Sequence, residues 1–559
     1  MTGAAALVKV LKEQGVEVVF GIPGGVVLTI FDEFHRSDVR VILMRHEQGA
    51  AHAADGYARS TGRVGVCVAT SGPGATNLVT GLANAYMDSI PVVAVTGQVN
   101  TALIGRDSFQ EADITGITIP ITKHNYLVKN PGDLFRVLRE AFYIASTGRP
   151  GPVLVDIPVN VSDSNEVEDS GEGVDLRGYK PRLEGHRRQV KLAAEALNGA
   201  SRPLVYAGGG VITSGAHAAI RELAEKIHAP VTTTLMGKGA FPETHPLSLG
   251  MLGMHGTYYA NMAVSTADVI LAVGARFDDR VTGRTETFAT AATIIHVDVD
   301  PAEIGKNVRI KIPIVGDAKR VLEALIAELN EARHEDWAAE IEKWKRDRPL
   351  RYDAGDGELL PQYVVDKIYE VSEGRAIVTT EVGQNQMWAA QYYKVAEPRT
   401  FITSGGLGTM GFGLPAAVGA QIGNPNRLVI DIAGDGSIMM NIQELTTAVY
   451  NNLPVKVCVL NNKYLGMVAQ WQRLFYGGRY ASSHLAGNPD FAKVAEAFGA
   501  VGYSVRKKEE VVPALVKAFS NRRTTVIDFH VRSEENVMPM VPRGGSLKDM
   551  ITEPPEKES

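Results

Sequence analysis

Apolar runs of four to seven residues, rich in Val and Ile, recur along the chain between stretches whose hydrophobic positions follow a helical period. Pro91-Val92-Val93-Ala94-Val95, Pro203-Leu204-Val205-Tyr206 and Val455-Lys456-Val457-Cys458-Val459-Leu460 are typical. Most lack the apolar-polar alternation of a strand with one wet face, which marks parallel strands covered on both sides. The pattern predicts an α/β protein with doubly wound parallel sheets. It breaks at two polar stretches, residues 166–188 and 336–358, which read as linkers. They divide the chain into domains over 1–165, 189–335 and 359–540. The tail over 541–559, with Glu553-Pro554-Pro555-Glu556-Lys557, is expected to be loosely held.

The first and third domains follow one order. In each, a strand ends in a glycine-rich turn (Thr70-Ser71-Gly72-Pro73-Gly74 and Ala433-Gly434-Asp435-Gly436), and a helix and a second strand follow. Each has a later strand, Gly151-Pro152-Val153-Leu154-Val155-Asp156 and Thr525-Val526-Ile527-Asp528-Phe529. Gly72 precedes Gly97 by 25 positions and Gly434 precedes Asn461 by 27. One fold used twice accounts for this, although two unrelated doubly wound sheets would share the order.

Composition narrows the field. The 559 residues, 45% hydrophobic, suffice for several cores. With 57 basic against 63 acidic residues, a net charge of -6 gives no reason to expect nucleic acid as a partner. Cys67 and Cys458 lie inside apolar runs and read as small buried hydrophobes in a reducing compartment. The start shows no basic leader and no run is long and apolar enough to span a bilayer, so a cytoplasmic enzyme or binding protein is expected.

Two places carry chemistry. The strand Leu428-Val429-Ile430-Asp431-Ile432 runs out into Gly434-Asp435-Gly436, and the next strand ends in Asn461-Asn462. Open α/β sheets bind ligands beyond the carboxyl ends of their strands, and a carboxylate beside a carboxamide suits Mg²⁺ that keeps positions for phosphate and water. Gly-Asp-Gly alone would be a tight turn. The second place is Val41-Ile42-Leu43-Met44-Arg45-His46-Glu47, where an apolar strand turns into an alanine-rich helical run at a carboxylate. A lone glutamate there is commonly a helix-terminus acid, and His46 reads as structural.

Gly434-Asp435-Gly436 through Asn461-Asn462 resembles the diphosphate and metal motif of thiamine-diphosphate enzymes, whose three-domain plan this chain shares. The resemblance implies the thiamine-diphosphate-binding fold in the first domain, for the pyrimidine, and in the third, for the diphosphate. It also implies Mg²⁺ held by Asp435, Asn462 and the Tyr464 carbonyl. Gly434, Gly436, Ser437, Val382, Gly383, Gln384, Gly408, Gly466 and Met467 would lie about the diphosphate, with Pro73 and Asn77 also at the cofactor. Glu47 would serve the pyrimidine in proton relay, with its pKa moved towards working pH. Met410, in Gly408-Thr409-Met410-Gly411, would prop the folded cofactor.

Further segments, among them Gly21-Ile22-Pro23-Gly24-Gly25, Phe109-Gln110-Glu111, Thr122-Lys123-His124-Asn125, Arg276-Phe277-Asp278-Asp279-Arg280 and Gln470-Trp471-Gln472, are similar to the catalytic subunits of acetohydroxyacid synthases. The implied reaction decarboxylates pyruvate and transfers the two-carbon unit to a second pyruvate or to 2-ketobutyrate, in branched-chain amino acid biosynthesis. Arg276 would meet the acceptor carboxylate, Trp471 would form an apolar wall, and Phe109, Gln110 and Lys123 would line the channel. FAD would occupy a Rossmann-like middle domain through Arg149, Gly208, Gly209, Gly210, Thr234, Leu235, Met254, His255, Gly274, Arg276, Asp278, Arg280, Val281, Asp298 and Asp317. The glycine run 208–210 would admit a phosphate to the backbone, whereas Asp278, Asp279 and Arg280 would otherwise be a surface ion-pair cluster. Asn100, Arg106, Ser108, Val26 and Asn385 depart from the family's usual residues at the channel mouth and diphosphate site. The resemblance implies a homodimer or homotetramer and a separate small regulatory subunit. Rival readings are a flavin-free catabolic acetolactate synthase, a pyruvate oxidase-like oxidoreductase and a non-catalytic nucleotide-binding module.

Overall fold

The computed structural model describes residues 1–553 apart from 170, 172, 354 and 356, so parts of both linkers and the tail beyond Glu553 lie outside the described residues. Its strands form three six-stranded sheets, parallel throughout.

The first sheet comprises β1 (Val18–Gly21), β2 (Arg40–Leu43), β3 (Gly65–Ala69), β4 (Val92–Gln98), β5 (His124–Leu127) and β6 (Val153–Pro158). The second has β7 (Pro203–Ala207), β8 (Val231–Thr233), β9 (Ser248–Met251), β10 (Val269–Val273), β11 (Thr293–Asp298) and β12 (Ile312–Val315). The third has β13 (Ile377–Thr380), β14 (Phe401–Ile402), β15 (Val429–Gly434), β16 (Lys456–Asn461), β17 (Val501–Val505) and β18 (Thr525–His530). Interior strands such as β3, β4, β10 and β16 are buried at every position, which is why their sequences do not alternate.

Counted within its own domain, the first sheet runs 2-1-3-4-6-5 and so does the third. The middle sheet, β12-β11-β10-β7-β8-β9, has the 3-2-1-4-5-6 order of dinucleotide-binding folds, with its switch point between β7 and β10. The first and third domains share one core: Ile42, Ala50, Ala53 and Ala54 pack in the same cluster as Phe412, Leu414, Ala416 and Ala420. Helices Glu47–Thr61 and Gly413–Gly423 meet there, and a Cβ on Gly56 or Gly419 would collide with the carbonyl oxygen of Ala416 or Ala53.

Two expectations about connections change. Residues 336–358 are not all linker, because the helix Glu335–Asp347 buries Trp337 and Ile341 against the middle domain and Trp337 Nε1 donates to Pro203 O, 3.1 Å. Charged neighbours mask the helical spacing of Trp337, Ile341 and Trp344. The tail is held at least to Ile551, which pairs antiparallel with Met540, while Val541 and Leu547 are buried and Val541 N donates to Met254 O, 2.8 Å. No helix among the described residues is long and apolar enough to cross a membrane.

Candidate active site

The first-domain cluster forms where β2 and β3 end. His46 is the N-cap of the helix Glu47–Thr61, its Nδ1 accepting from Gln48 N at 3.1 Å, and Glu47 is the first helical residue, 9% exposed. A carboxylate in the first turn suits the helix dipole. Asn77 Nδ2 donates to Glu47 Oε2, 2.9 Å. Asn77 ends the short helix Pro73–Asn77, which Gly72 enters at φ +57°, and a Cβ on Gly74 would lie 3.3 Å from Glu47 Oε1. Gln110, itself at φ 57°, lays its backbone on Gly72, where a Cβ would stand 2.7 Å from Gln110 O. Glu47, Pro73, Asn77 and Gln110 are thus neighbours, and Phe109 projects beside them, 87% exposed.

Asp435 anchors the third-domain cluster, 1% exposed beyond β15. Asn488 Nδ2 donates to its Oδ2 at 3.0 Å, and burial pushes its carboxyl up to about 7. Asn462, past the end of β16, accepts from Tyr464 N through Oδ1 at 3.1 Å and donates Nδ2 to Gln384 Oε1 at 3.0 Å. A Cβ on Gly466 would stand 2.7 Å from Asn462 Nδ2 and would also strike Gln384, so the pair needs glycine there. A buried acid whose side-chain partner is an amide, beside a carboxamide, is the donor chemistry of a hard divalent cation. The residues therefore fit Mg²⁺. Gly436 packs against Leu465 and Leu485, and a Cβ there would come within 3.9 Å of the Met410 Sδ-methyl carbon.

Glu381, directly before the residues expected about the diphosphate, turns inward. It is fully buried, accepting from Ser437 Oγ at 2.5 Å, Gly411 N at 2.7 Å and Leu414 N at 3.1 Å, which fixes Ser437 and both ends of the segment after Met410. Burial raises its carboxyl, and burial with the neighbouring Glu381 charge raises that of Asp431. Asn385, one of the departures, ties Glu381 O to Ile432 O through Nδ2, at 3.0 and 2.9 Å.

A cavity of about 1530 Å³ opens at the switch point of the middle sheet. All fifteen residues expected about FAD line it. Val382, Gly383, Gly408, Met467 and Trp471 of the third domain close its other side, and Arg280 lies 6.0 Å over the Trp471 ring. Several of these residues are already occupied. Arg149 pairs with Glu303 at 2.6 Å and Asp300 at 3.3 Å, and Asp278 and Asp317 cap helices. Burial holds His255 down to about 4 and Asp298 up to about 6. Arg280 does pair with Asp279, 3.3 Å, while lining the cavity.

A Cβ on Gly208 or Gly210 would run into Gly274, so these cavity-lining glycines also allow the close approach of the loops after β7 and β10. Lys123 does not reach the cavity. Its ammonium caps the carboxyl end of the helix Leu134–Ser146 through Ile144 O and Thr147 O (2.9 Å to the latter), and meets Tyr179 Oη at 3.0 Å. Burial brings its pKa down to about 8. Glu47, Phe109 and Gln110 also lie off the wall of this cavity.

Three family profiles match the chain: the thiamine pyrophosphate enzyme N-terminal TPP binding domain over residues 1–117, the central domain over 190–325 and the C-terminal TPP binding domain over 381–529. The chain is 48% identical over 563 residues to the acetolactate synthase isozyme 3 large subunit of Escherichia coli K12, covering 98% of each. It is 48% identical over 569 residues to the acetolactate synthase large subunit of Haemophilus influenzae, covering 100% of this chain and 99% of that one. It is 50% identical over 562 residues to the Corynebacterium glutamicum large subunit, covering 98% and 90%.

Proposed function

Because the chain belongs to the thiamine pyrophosphate enzymes, among the acetolactate synthase large subunits, we propose that it decarboxylates pyruvate and joins the remaining two carbons to a second 2-keto acid. With pyruvate as acceptor the product is 2-acetolactate, and with 2-ketobutyrate it is 2-aceto-2-hydroxybutyrate. The observation that carries the reading is Asp435, buried and raised to about 7 beside Asn462 on the adjacent strand end, in a chain about half identical to acetolactate synthase large subunits.

Asp435, Asn462 and Tyr464 would hold Mg²⁺, while Gly436, Ser437, Gln384 and Gly466 would adjoin the diphosphate it binds. Thiamine diphosphate, when bound, supplies a nucleophilic carbon and a sink for the electron pair left as CO₂ departs. Glu47 would hold and pass a proton at Oε1, since Asn77 occupies Oε2. Met410 would give apolar bulk between the Gly436 turn and the cavity. Arg276 would orient the acceptor carboxylate, and Trp471 would exclude water and favour the larger acceptor by about 1–3 kcal/mol per methylene. Size, lining and switch-point position all suit the cavity to FAD. That supports a flavoprotein over the flavin-free rival.

The match of the first and third domains to the N-terminal and C-terminal TPP binding domains of this family supports an active site shared between two copies of the chain. Relatives named as large subunits support a small regulatory partner. Purified protein given pyruvate, Mg²⁺ and thiamine diphosphate should form acetolactate, and 2-ketobutyrate should compete as acceptor. Absence of product with the cofactors shown to be bound overturns the reading. Flavin retained through purification checks the cavity's assignment.

A further inference from the structure

The turn that delivers Glu47 is gripped by a residue of another domain. Glu444, first residue of the helix Glu444–Tyr450, is fully buried. Its Oε1 accepts from Arg45 N and His46 N, both at 3.1 Å, and its Oε2 accepts from Arg45 N at 3.3 Å and Thr447 Oγ1 at 2.6 Å. Gly49 seals the contact, because a Cβ there would stand 2.5 Å from Oε1 and 3.0 Å from Cδ. The two amides immediately before Glu47 therefore find their acceptor in the third domain.

Joining the domains does not require this acid. Alanines and glycines along the neighbouring helices already do so, and an acid buried at an apolar seam is a costly cement. What a carboxylate adds is direction, since it fixes two successive N–H vectors and with them where the helix Glu47–Thr61 begins. We propose that Glu444 is a positioning residue for Glu47, setting from the third domain the place and angle at which the Glu47 carboxylate is presented. This rests on the proton-handling role given to Glu47 above.

Amide exchange on cofactor-free protein and steady-state kinetics on the loaded enzyme test it together. Glu444→Ala should speed exchange at residues 45 and 46 by at least about tenfold while middle-domain peptides stay unchanged. It should lower kcat by roughly ten- to a hundredfold with the pyruvate KM within about threefold. Glu444→Gln, whose amide oxygen can accept the same N–H groups, should restore most of both. A residue acting through Glu47 costs nothing once Glu47 is gone, so Glu47→Gln/Glu444→Ala should turn over within about twofold of Glu47→Gln alone. Losses that multiply in the double variant, or unchanged exchange at 45 and 46, overturn the proposal. If Glu444→Ala does not fold, Gly49→Ala displaces the same carboxylate from the other side and gives the same readings. Full turnover in Glu47→Gln would sink the role of Glu47, whereas the exchange result would still decide whether Glu444 holds the turn.

Discussion

The first and third domains are the same sheet carrying different chemistry. Both run 2-1-3-4-6-5, and both bury an aspartate as the fourth residue of the sixth strand, Asp156 on β6 and Asp528 on β18. Each aspartate is bound by the amide that ends the adjacent strand, Gln98 Nε2 to Asp156 Oδ2 and Asn461 Nδ2 to Asp528 Oδ1, both 3.0 Å. Burial raises both acids, Asp156 to about 7. Past the strand ends the likeness stops. After the second strand the first domain needs only residues 44–46 to reach its helix at Glu47, whereas the third inserts residues 403–412, with Gly408 and Met410, before its helix at Gly413. After the third strand one carries Gly-Pro-Gly and the other Gly-Asp-Gly. The buried acid and its amide belong to the scaffold, and function resides in the few residues just beyond it.

The comparison is broken hardest at Glu47, which has no acidic counterpart at Gly413. Glu47→Gln should lower kcat by about 10²–10⁴-fold, measured with cofactor saturating. Asp435, at the third-domain turn, should show itself through pH. Its carboxyl is raised to about 7, so protons compete with the cation below that value, and Mg²⁺ affinity in titrations should fall about tenfold per pH unit below 7 and level off above it. Gly419→Ala tests the seam that joins the two domains. A Cβ striking Ala53 O should cost about 1–3 kcal/mol in denaturant unfolding, with cofactor binding weakened only indirectly. The smallest effect belongs to the shared scaffold. A buried acid raised to about 7 stabilises the fold fully below its unfolded value near 4 and loses that contribution as pH rises through 7. The thermal midpoint of cofactor-free protein should therefore fall between pH 5 and 8. Asp156→Asn should flatten that slope while changing kcat less than about twofold.

The duplication was legible in sequence because buried parallel strands leave unbroken apolar runs, and Asp435, Asn462 and the segments lining the middle-domain cavity stood out because glycines or amides punctuated those runs. Other features left no such trace. Lys123 reads as a channel residue until Tyr179, 56 positions later, folds over it. Glu444 sits in an ordinary amphipathic stretch, and only the return of the first domain against it, some 400 residues away in sequence, shows that it holds Arg45 and His46. Trp337, Ile341 and Trp344 recur at i, i+4 and i+7, but the charged residues between them mask that helical spacing. Long-range pairing is what local pattern cannot express.

The helices Glu47–Thr61 and Gly413–Gly423 occupy equivalent places in the two copies of the fold, each between second and third strands, and they pack on each other. A contact so close that Gly56 and Gly419 admit no side chain leaves no slack for variation. Over evolutionary time the strand-end residues can exchange one chemistry for another, as the two domains already have, but this chemically silent seam can accept little beyond glycine and alanine. The part of the molecule with the least freedom to drift should be one that never meets a substrate.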